Sequence, residues 1–308
     1  MSKKALVLLN MGGARTKDEL EVFLRNMLND KNIITLKNDT IRSMLASILV
    51  AIRCNKTWEN YQKIDKEVSL HELTERLVHK LNKMLPEYFI TTSMRYTSPF
   101  AQTAIARIKK ENIKEVVLLP LYPHYSTMTV KSSIDDFIAK AEDTLSIRVI
   151  EPFYKNFLLN KAICDEIVRV QGKYKDFHLI FSAVGLPQNM IDKGDPYQTQ
   201  IEEHFELLKE QLSHYATELQ SINLAYQSKS GLRKWLKPNL TEMLRHFKNK
   251  KVIIYPLSFV IDNMQTAFEL DIEYREIAKE LQIKDYRLCS CPNDSDIFCE
   301  ALKEITSL

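Results

Sequence analysis

Gln265, Glu269 and Glu273 recur at i, i+4 and i+8, which sets them on one face of a helix with two carboxylates in a row. Such a row is either a working acidic surface or a solvated face. Asp262 lies three residues before Gln265, and His124 follows the run Leu119-Pro120-Leu121-Tyr122-Pro123. Imidazole is the side chain whose ordinary pKa falls near neutrality, so His124 is a candidate proton acceptor; the alternative is a plain polar loop residue. Arg95, beside Tyr96, offers a guanidinium fork that either meets a ligand carboxylate or ties its own loop through an ion pair.

The elements that must position these groups read as α/β. Apolar, β-branched-rich runs at Ala5–Asn10, Phe89–Met94, Val116–Pro120, Arg148–Glu151, His178–Ser182, Asn223–Gln227 and Val252–Pro256 predict strands. Their continuous apolar character suits parallel strands covered on both faces. Thr16-x-x-Glu19 forms a capping box ahead of Leu20, Phe23, Leu24, Met27 and Leu28, which share one helical face. A faint repeat runs through the chain. Asn10-Met11-Gly12-Gly13 parallels Ala183-Val184-Gly185-Leu186, Met94-Arg95-Tyr96 parallels Gln227-Ser228-Lys229, and Leu119-Pro120-Leu121-Tyr122 parallels Tyr255-Pro256-Leu257-Ser258. The expected architecture is two similar Rossmann-like domains with parallel sheets, residues 1–143 and 144–287, with a ligand cleft where the carboxyl ends of the strands face each other. No G-x-G-x-x-G and no Walker loop occurs, so no nucleotide is expected.

Six motifs in order over nearly the whole chain resemble ferrochelatase, the family that inserts ferrous iron into a porphyrin. They are Leu9-Asn10-Met11-Gly12-Gly13, Met94-Arg95-Tyr96-x-x-Pro99, Leu119 to Ser126, Gly194-Asp195-Pro196-Tyr197, Gln227-Ser228-Lys229-x-Gly231 with Lys234-Trp235-Leu236-x-Pro238, and Glu269 to Tyr274. The resemblance implies that Met11 faces the macrocycle, that Arg95 and Tyr96 lie in the active-site pocket, and that Tyr122, His124 and Ser126 border the porphyrin cleft. Met11, Tyr122, Trp235 and Phe259 then either line a flat apolar slot or belong to the ordinary core. Ferrous iron and porphyrin are the implied substrates, haem the product or ligand, and no further cofactor is required. The face bearing Glu269 and Glu273 is implied to be an acidic path for metal or protons. The C-terminal segment 288–308, with a helix near Ser295–Ile305, is expected to pack back on the first domain, as in the family.

The departures are specific. Val184 stands where the family usually has His, Gln265 where it has Glu, and Asn263 where many members have a second His. Asp65–Leu70 lacks the usual Gly-Gly-x-Ser-Pro-Leu, and Leu232 replaces a common Pro. Metallation requires the loss of two pyrrole protons to a base poised near neutrality. Valine cannot accept a proton, and glutamine keeps the shape of glutamate without its basicity. His124, Asp262 and Glu269 are the candidate replacements. Three readings stay open: a ferrochelatase with altered proton handling, a non-catalytic porphyrin or haem carrier or sensor, and a two-lobed protein for another small ligand.

The 45% hydrophobic and 27% charged fractions are ordinary for a globular chain, and a net charge of +3 is too mild to indicate nucleic acid. No signal peptide is read at the N-terminus, so the expected address is cytoplasmic, with a possible peripheral contact at the inner membrane face. Five cysteines in such a chain are expected as free thiols, and the spacing Cys289-x-Cys291 with Cys299 fits no iron–sulfur pattern. Thr40–Ile52 is an amphipathic helix with Ile41, Met44, Leu45, Ile48, Leu49 and Ile52 on one stripe. Burial against its domain is the expectation; the resemblance offers a hydrophobic lip that touches a membrane surface.

Overall fold

A computed structural model describes residues 3–64, 69–215, 217–227 and 234–307. The sequence departures at 65–68 and Leu232, and the motif residues Ser228, Lys229 and Gly231, lie outside the described residues. The chain divides into two compact units. One comprises Met1–Tyr122, Ser126–Glu151 and Lys303–Leu308; the other comprises Pro123–Tyr125 and Pro152–Leu302.

In the first unit, β1 (Lys4–Asn10), β2 (Tyr88–Met94), β3 (Glu115–Pro120) and β4 (Ser146–Val149) form a parallel sheet in the order β2-β1-β3-β4. Strand β1 is buried at every residue after Lys4, which follows from helices covering both faces of a parallel sheet. Helices α1 (Lys17–Leu28) and α2 (Asp39–Tyr61) pack on each other, while α3 (Leu70–Met84), α4 (Ala101–Lys110) and α5 (Ser132–Ala141) lie against the strands. On one side Val7, Leu9, Val116 and Leu118 meet Ala104, Ile108 and Phe137. The Thr16 hydroxyl caps α1 by accepting from the Glu19 N–H at 3.2 Å. Glu19 does not complete the box by reaching the Thr16 N–H; it accepts from the Arg15 N–H at 2.8 Å and pairs with the Arg15 guanidinium.

The apolar stripe of α2 is exposed apart from Leu49, which is half-buried against the α1–α2 cluster. Ile41, Met44, Ile48 and Ile52 are 56%, 63%, 55% and 70% exposed. Instead α2 turns Ala46, Val50 and Cys54 toward Leu20, Leu24 and Leu28 of α1. Arg42 fixes this rotation. Its guanidinium donates to the Asn29 and Leu36 carbonyls, both at 2.8 Å, and pairs with Asp39, so the helix is locked with the more apolar side outward.

The second unit repeats the plan. Its strands β5 (Phe177–Val184), β6 (Ser221–Gln227), β7 (Lys251–Pro256) and β8 (Asp285–Leu288) are parallel in the order β6-β5-β7-β8. Helices α6 (Phe157–Gln171), α7 (Gln188–Ile191), α8 (Tyr197–Ser213), α9 (Leu240–Leu244) and α10 (Tyr274–Glu280) accompany them. Ile180, Ala225, Val252 and Ile254 pack with Leu240, Leu270 and Tyr274.

Two boundaries differ from the sequence expectation. Strand β4 hydrogen-bonds to β3, so the first sheet continues past residue 143. Helix α11 (Asp296–Ser307) belongs to the second unit through Leu302, and only from Lys303 to the first, where Arg148 donates to the Thr306 carbonyl at 2.8 Å. In both units the third strand leads into a π-helical segment, Thr127–Lys131 after β3 and Gln265–Glu273 after β7. Such segments are rare and concentrate at functional sites.

Candidate functional site at the carboxyl ends of the strands

In the first unit the residues singled out by sequence gather just beyond β1, β2 and β3. The loop after β1 is held to the loop after β2 by the Arg95 N–H donating to the Asn10 carbonyl at 2.8 Å and the Tyr96 N–H to the Met11 carbonyl at 3.0 Å. Gly12 takes φ +90, and a Cβ there would lie 2.2 Å from the Thr97 hydroxyl, so only glycine fits this turn. Met11 is half-buried beside it.

Asp30 organises this end of the sheet. Its Oδ2 accepts from the Tyr96 hydroxyl at 2.9 Å, from Arg95 Nη2 at 3.1 Å and from the Ser132 hydroxyl. Arg95 also donates to Ser132 Oγ at 2.9 Å and pairs with Asp136 at 3.2 Å. The Arg95 fork therefore ties its own loops through two carboxylates. Burial, and then the Asp30 charge, push the Tyr96 phenol well up. Burial likewise pushes up the Tyr122 phenol, which lies 3.4 Å from Ser133 Oγ. Ser126 is buried, and its hydroxyl caps the first π-helical segment by accepting from the Met128 N–H.

In the second unit Val184 ends β5 with a half-buried side chain. Its N–H donates to Ser258 Oγ at 2.9 Å, and Ser258 Oγ lies 2.6 Å from the Tyr197 hydroxyl. The Ser182 hydroxyl donates to Gln227 Oε1 at 2.7 Å, while Gln227 Nε2 is buried without a partner. Trp235 forms an antiparallel bridge with Pro187, three residues beyond Val184, and Phe259 is half-buried just after β7.

Asn263 caps the second π-helical segment. Its Oδ1 accepts from the Gln265 N–H at 2.8 Å, and its own N–H donates to Thr266 Oγ1 at 2.9 Å. Asn263→Ala is expected to cost about 1 kcal/mol, the usual value of such a cap, seen as a lower urea midpoint at unchanged m-value. Gln265 and Glu269 are half-buried on this segment and Glu273 is exposed, so the acidic row runs from interior to surface. Asp262 is committed elsewhere. Its carboxylate accepts from the Cys291 N–H at 3.2 Å and from Asn293 Nδ2 at 2.7 Å, holding the loop after β8.

His124 is not on a solvent-facing rim; it is 2% exposed. Its Nε2 lies 2.8 Å from His204 Nδ1, and His204 Nε2 lies 2.8 Å from Asn160 Oδ1. An amide oxygen only accepts, so His204 donates from Nε2 and is bare at Nδ1, which obliges His124 to donate from Nε2. His124 Nδ1 is thereby left as a lone pair, buried and without a partner. The ring stacks on Tyr154 and meets the edge of Tyr197. Burial, and then the neighbouring imidazole, hold His124 well below its ordinary pKa, and burial lowers His204 to about 3. Both are neutral at pH 7.

Sequence reasoning missed Asp30, Ser132, Ser258, Asn160 and His204. A signal existed for the last. His204 occupies the buried stripe of α8 with Tyr197, Ile201, Leu208 and Leu212, where a polar residue requires a partner. All five cysteines are free and buried, and burial raises Cys289 and Cys291 away from the thiolate form that binds metal. Among the described residues no three His, Cys, Asp or Glu side chains stand together as a ready metal cluster.

The family model described as Ferrochelatase matches residues 3–307. The chain is 45% identical to the ferrochelatase of a Nitratiruptor species, over 98% of this chain and 98% of that protein. It is 40% identical to the ferrochelatase of a Helicobacter pylori strain, over 98% and 92%. Among solved structures, SirB from Bacillus subtilis with Fe3+ aligns with a TM-score of 0.62 at 11% identity, over 99% of this chain and 94% of that one. At that identity the likeness concerns the chelatase-like fold alone. A model match from end to end, with relatives at this identity over nearly their full length, places the chain in the ferrochelatase family.

Proposed function

We propose that this chain inserts ferrous iron into a porphyrin in haem biosynthesis. The observation that carries the reading is the placement of the family motifs. Met11, Arg95 and Tyr122 follow β1, β2 and β3, while Val184, Gln227 and Phe259 end or follow β5, β6 and β7. All lie at carboxyl ends of parallel strands, where ligands bind in open α/β sheets. Porphyrin and ferrous iron are the substrates. With Val184 unable to take a proton and Asp262 committed to its loop, Glu269 is the proposed carboxylate for metal or proton passage.

Anaerobic insertion of ferrous iron into protoporphyrin, with zinc as a second metal, tests this by absorbance against a blank without protein. Insertion above the blank supports the reading. A spectral shift on binding with no insertion favours the second reading, a porphyrin or haem carrier, to which the absence of proton-accepting side chains at 184 and 265 points.

The exposed stripe on α2 is proposed to touch a membrane surface transiently. No helix among the described residues is long and apolar enough to cross a membrane, so this contact is peripheral. The proposed address is cytoplasmic.

A further inference from the structure

The amino-terminal edges of the two sheets differ sharply in charge. The loops and first residues leading into β1–β4 carry Lys3, Lys4 and Lys114 against Glu87, Glu111, Glu115, Glu142 and Asp143. The equivalent positions before β5–β8 carry Lys173, Lys175, Lys248, Lys250, Lys251 and Lys284 against Asp176, Glu218 and Asp285. The two sheets have the same strand order and direction, so the fold does not impose this difference. The surplus of three cations at the second edge equals the net charge of the whole chain, +3.

Some of this charge is used locally. Lys251 pairs with Asp176 at 3.0 Å, and Lys175 pairs with Glu218. Lys173, Lys248, Lys250 and Lys284 are exposed and make no carboxylate ion pair among the described residues. The loops are joined: the Lys284 N–H donates to the Lys250 carbonyl at 2.8 Å, and Tyr174 lies under both Lys251 and Arg287 at 4.9 and 4.7 Å. Tyr174 is nevertheless 52% exposed.

The edge is level. Phe177 pairs with Lys251, Lys251 with Asp285, and His178 with Ser221, so the four strands begin within one residue of each other, about 3.3 Å. Four lysines without ion pairs on a level platform, with an aromatic ring half in solvent, complement a plane of anionic headgroups.

We propose that the amino-terminal edge of the second sheet is an electrostatic contact for an anionic bilayer surface. The inference extends the membrane contact proposed for α2 and rests on it for the choice of occupant, but uses different residues and a different force. Because the edge is opposite the carboxyl ends of β5–β7, docking leaves the motif residues of this unit uncovered.

The test is co-sedimentation with phosphatidylglycerol-containing vesicles and with pure phosphatidylcholine vesicles, at low and high salt. The variants are K173E/K250E/K284E and, separately, I41S/I48S/I52S on α2. Each lysine near such a surface is worth roughly five-fold in partitioning, so the triple charge reversal is expected to lose at least ~100-fold on anionic vesicles. High salt should produce a similar loss, and circular dichroism and iron insertion should be unchanged in the lysine variant. Partitioning of that variant at the parent level overturns the proposal, as does a parent that ignores anionic vesicles. Loss only in the α2 variant overturns the edge contact while leaving the α2 contact standing. Binding to polyglutamate without binding to vesicles would reassign the edge to an acidic protein.

Discussion

A chain carrying Val184→His with Gln265→Glu is expected to insert ferrous iron into protoporphyrin ~10²–10⁴ times faster than the parent, the range supplied by a positioned general base. The scaffold is ready for the exchange. Val184 is anchored through its N–H to Ser258, and Gln265 through its N–H to Asn263 Oδ1, so both substitutions alter side chains whose backbone contacts persist. Both positions are half-buried, so neither side chain is sealed in the core. Each single change should gain less than its share, because an imidazole without a carboxylate to pass its proton onward acts alone, and groups acting as a unit are not additive. The pH profile of the double variant should acquire an imidazole limb absent from the parent. An unchanged rate with porphyrin binding intact would remove these two positions from proton handling.

Acid should destabilise the second unit well before ordinary carboxylates titrate. His124 and His204 have folded pKa values below the unfolded value near 6.5, His204 at about 3. Above pH 6.5 neither state binds the proton, and the pair has no effect on the pH dependence. As pH falls below 6.5 the unfolded chain takes up protons that the native pair refuses, so stability is lost, for His204 down to about pH 3. The loss is about 2 kcal/mol for His204 between pH 7 and 5, and His124 adds to it in the same direction. His178, also held low by burial, adds in the same direction. Urea unfolding at pH 7, 6 and 5 should show the slope, and H124N/H204Q should flatten it. A parent with level stability across that range would mean that the pair carries a proton in the native state.

Much of the fold is legible in the sequence because parallel strands buried on both faces leave continuous apolar runs. Six of the eight strands among the described residues read that way, and the repeat matches the shared sheet order. The expected strand Arg148–Glu151 meets β4 only at Arg148 and Val149, because β4 is a short edge strand with no buried residue. Strand β8 escapes because Asp285-Tyr286-Arg287-Leu288 is a short edge strand with Tyr286 as its one buried residue. The outward turn of α2 escapes because hydropathy favours the opposite rotation, and the deciding carbonyls of Asn29 and Leu36 come from a neighbouring loop. At the site, motif spacing finds Arg95, Tyr96 and Val184. It cannot reveal that Arg95 answers to Asp30, or that His124 points inward to His204, since both partnerships span dozens of residues.

The π-helical winding after β7 has a bearing on how insertions and deletions would act here. Leu270 and Tyr274 are fixed in the core of the second unit, while Gln265 and Glu269 on the same segment stay half-buried and Gln265 is tied through its N–H to the Asn263 cap. The wider winding accommodates an additional residue between those two anchors. Removal of a single residue such as Ala267 would let the segment tighten to α-helical winding with Tyr274 still in place. Gln265 would then rotate away from the line of Glu269 and Glu273. A frame-preserving deletion of one codon would thus spare the fold and scramble the polar row.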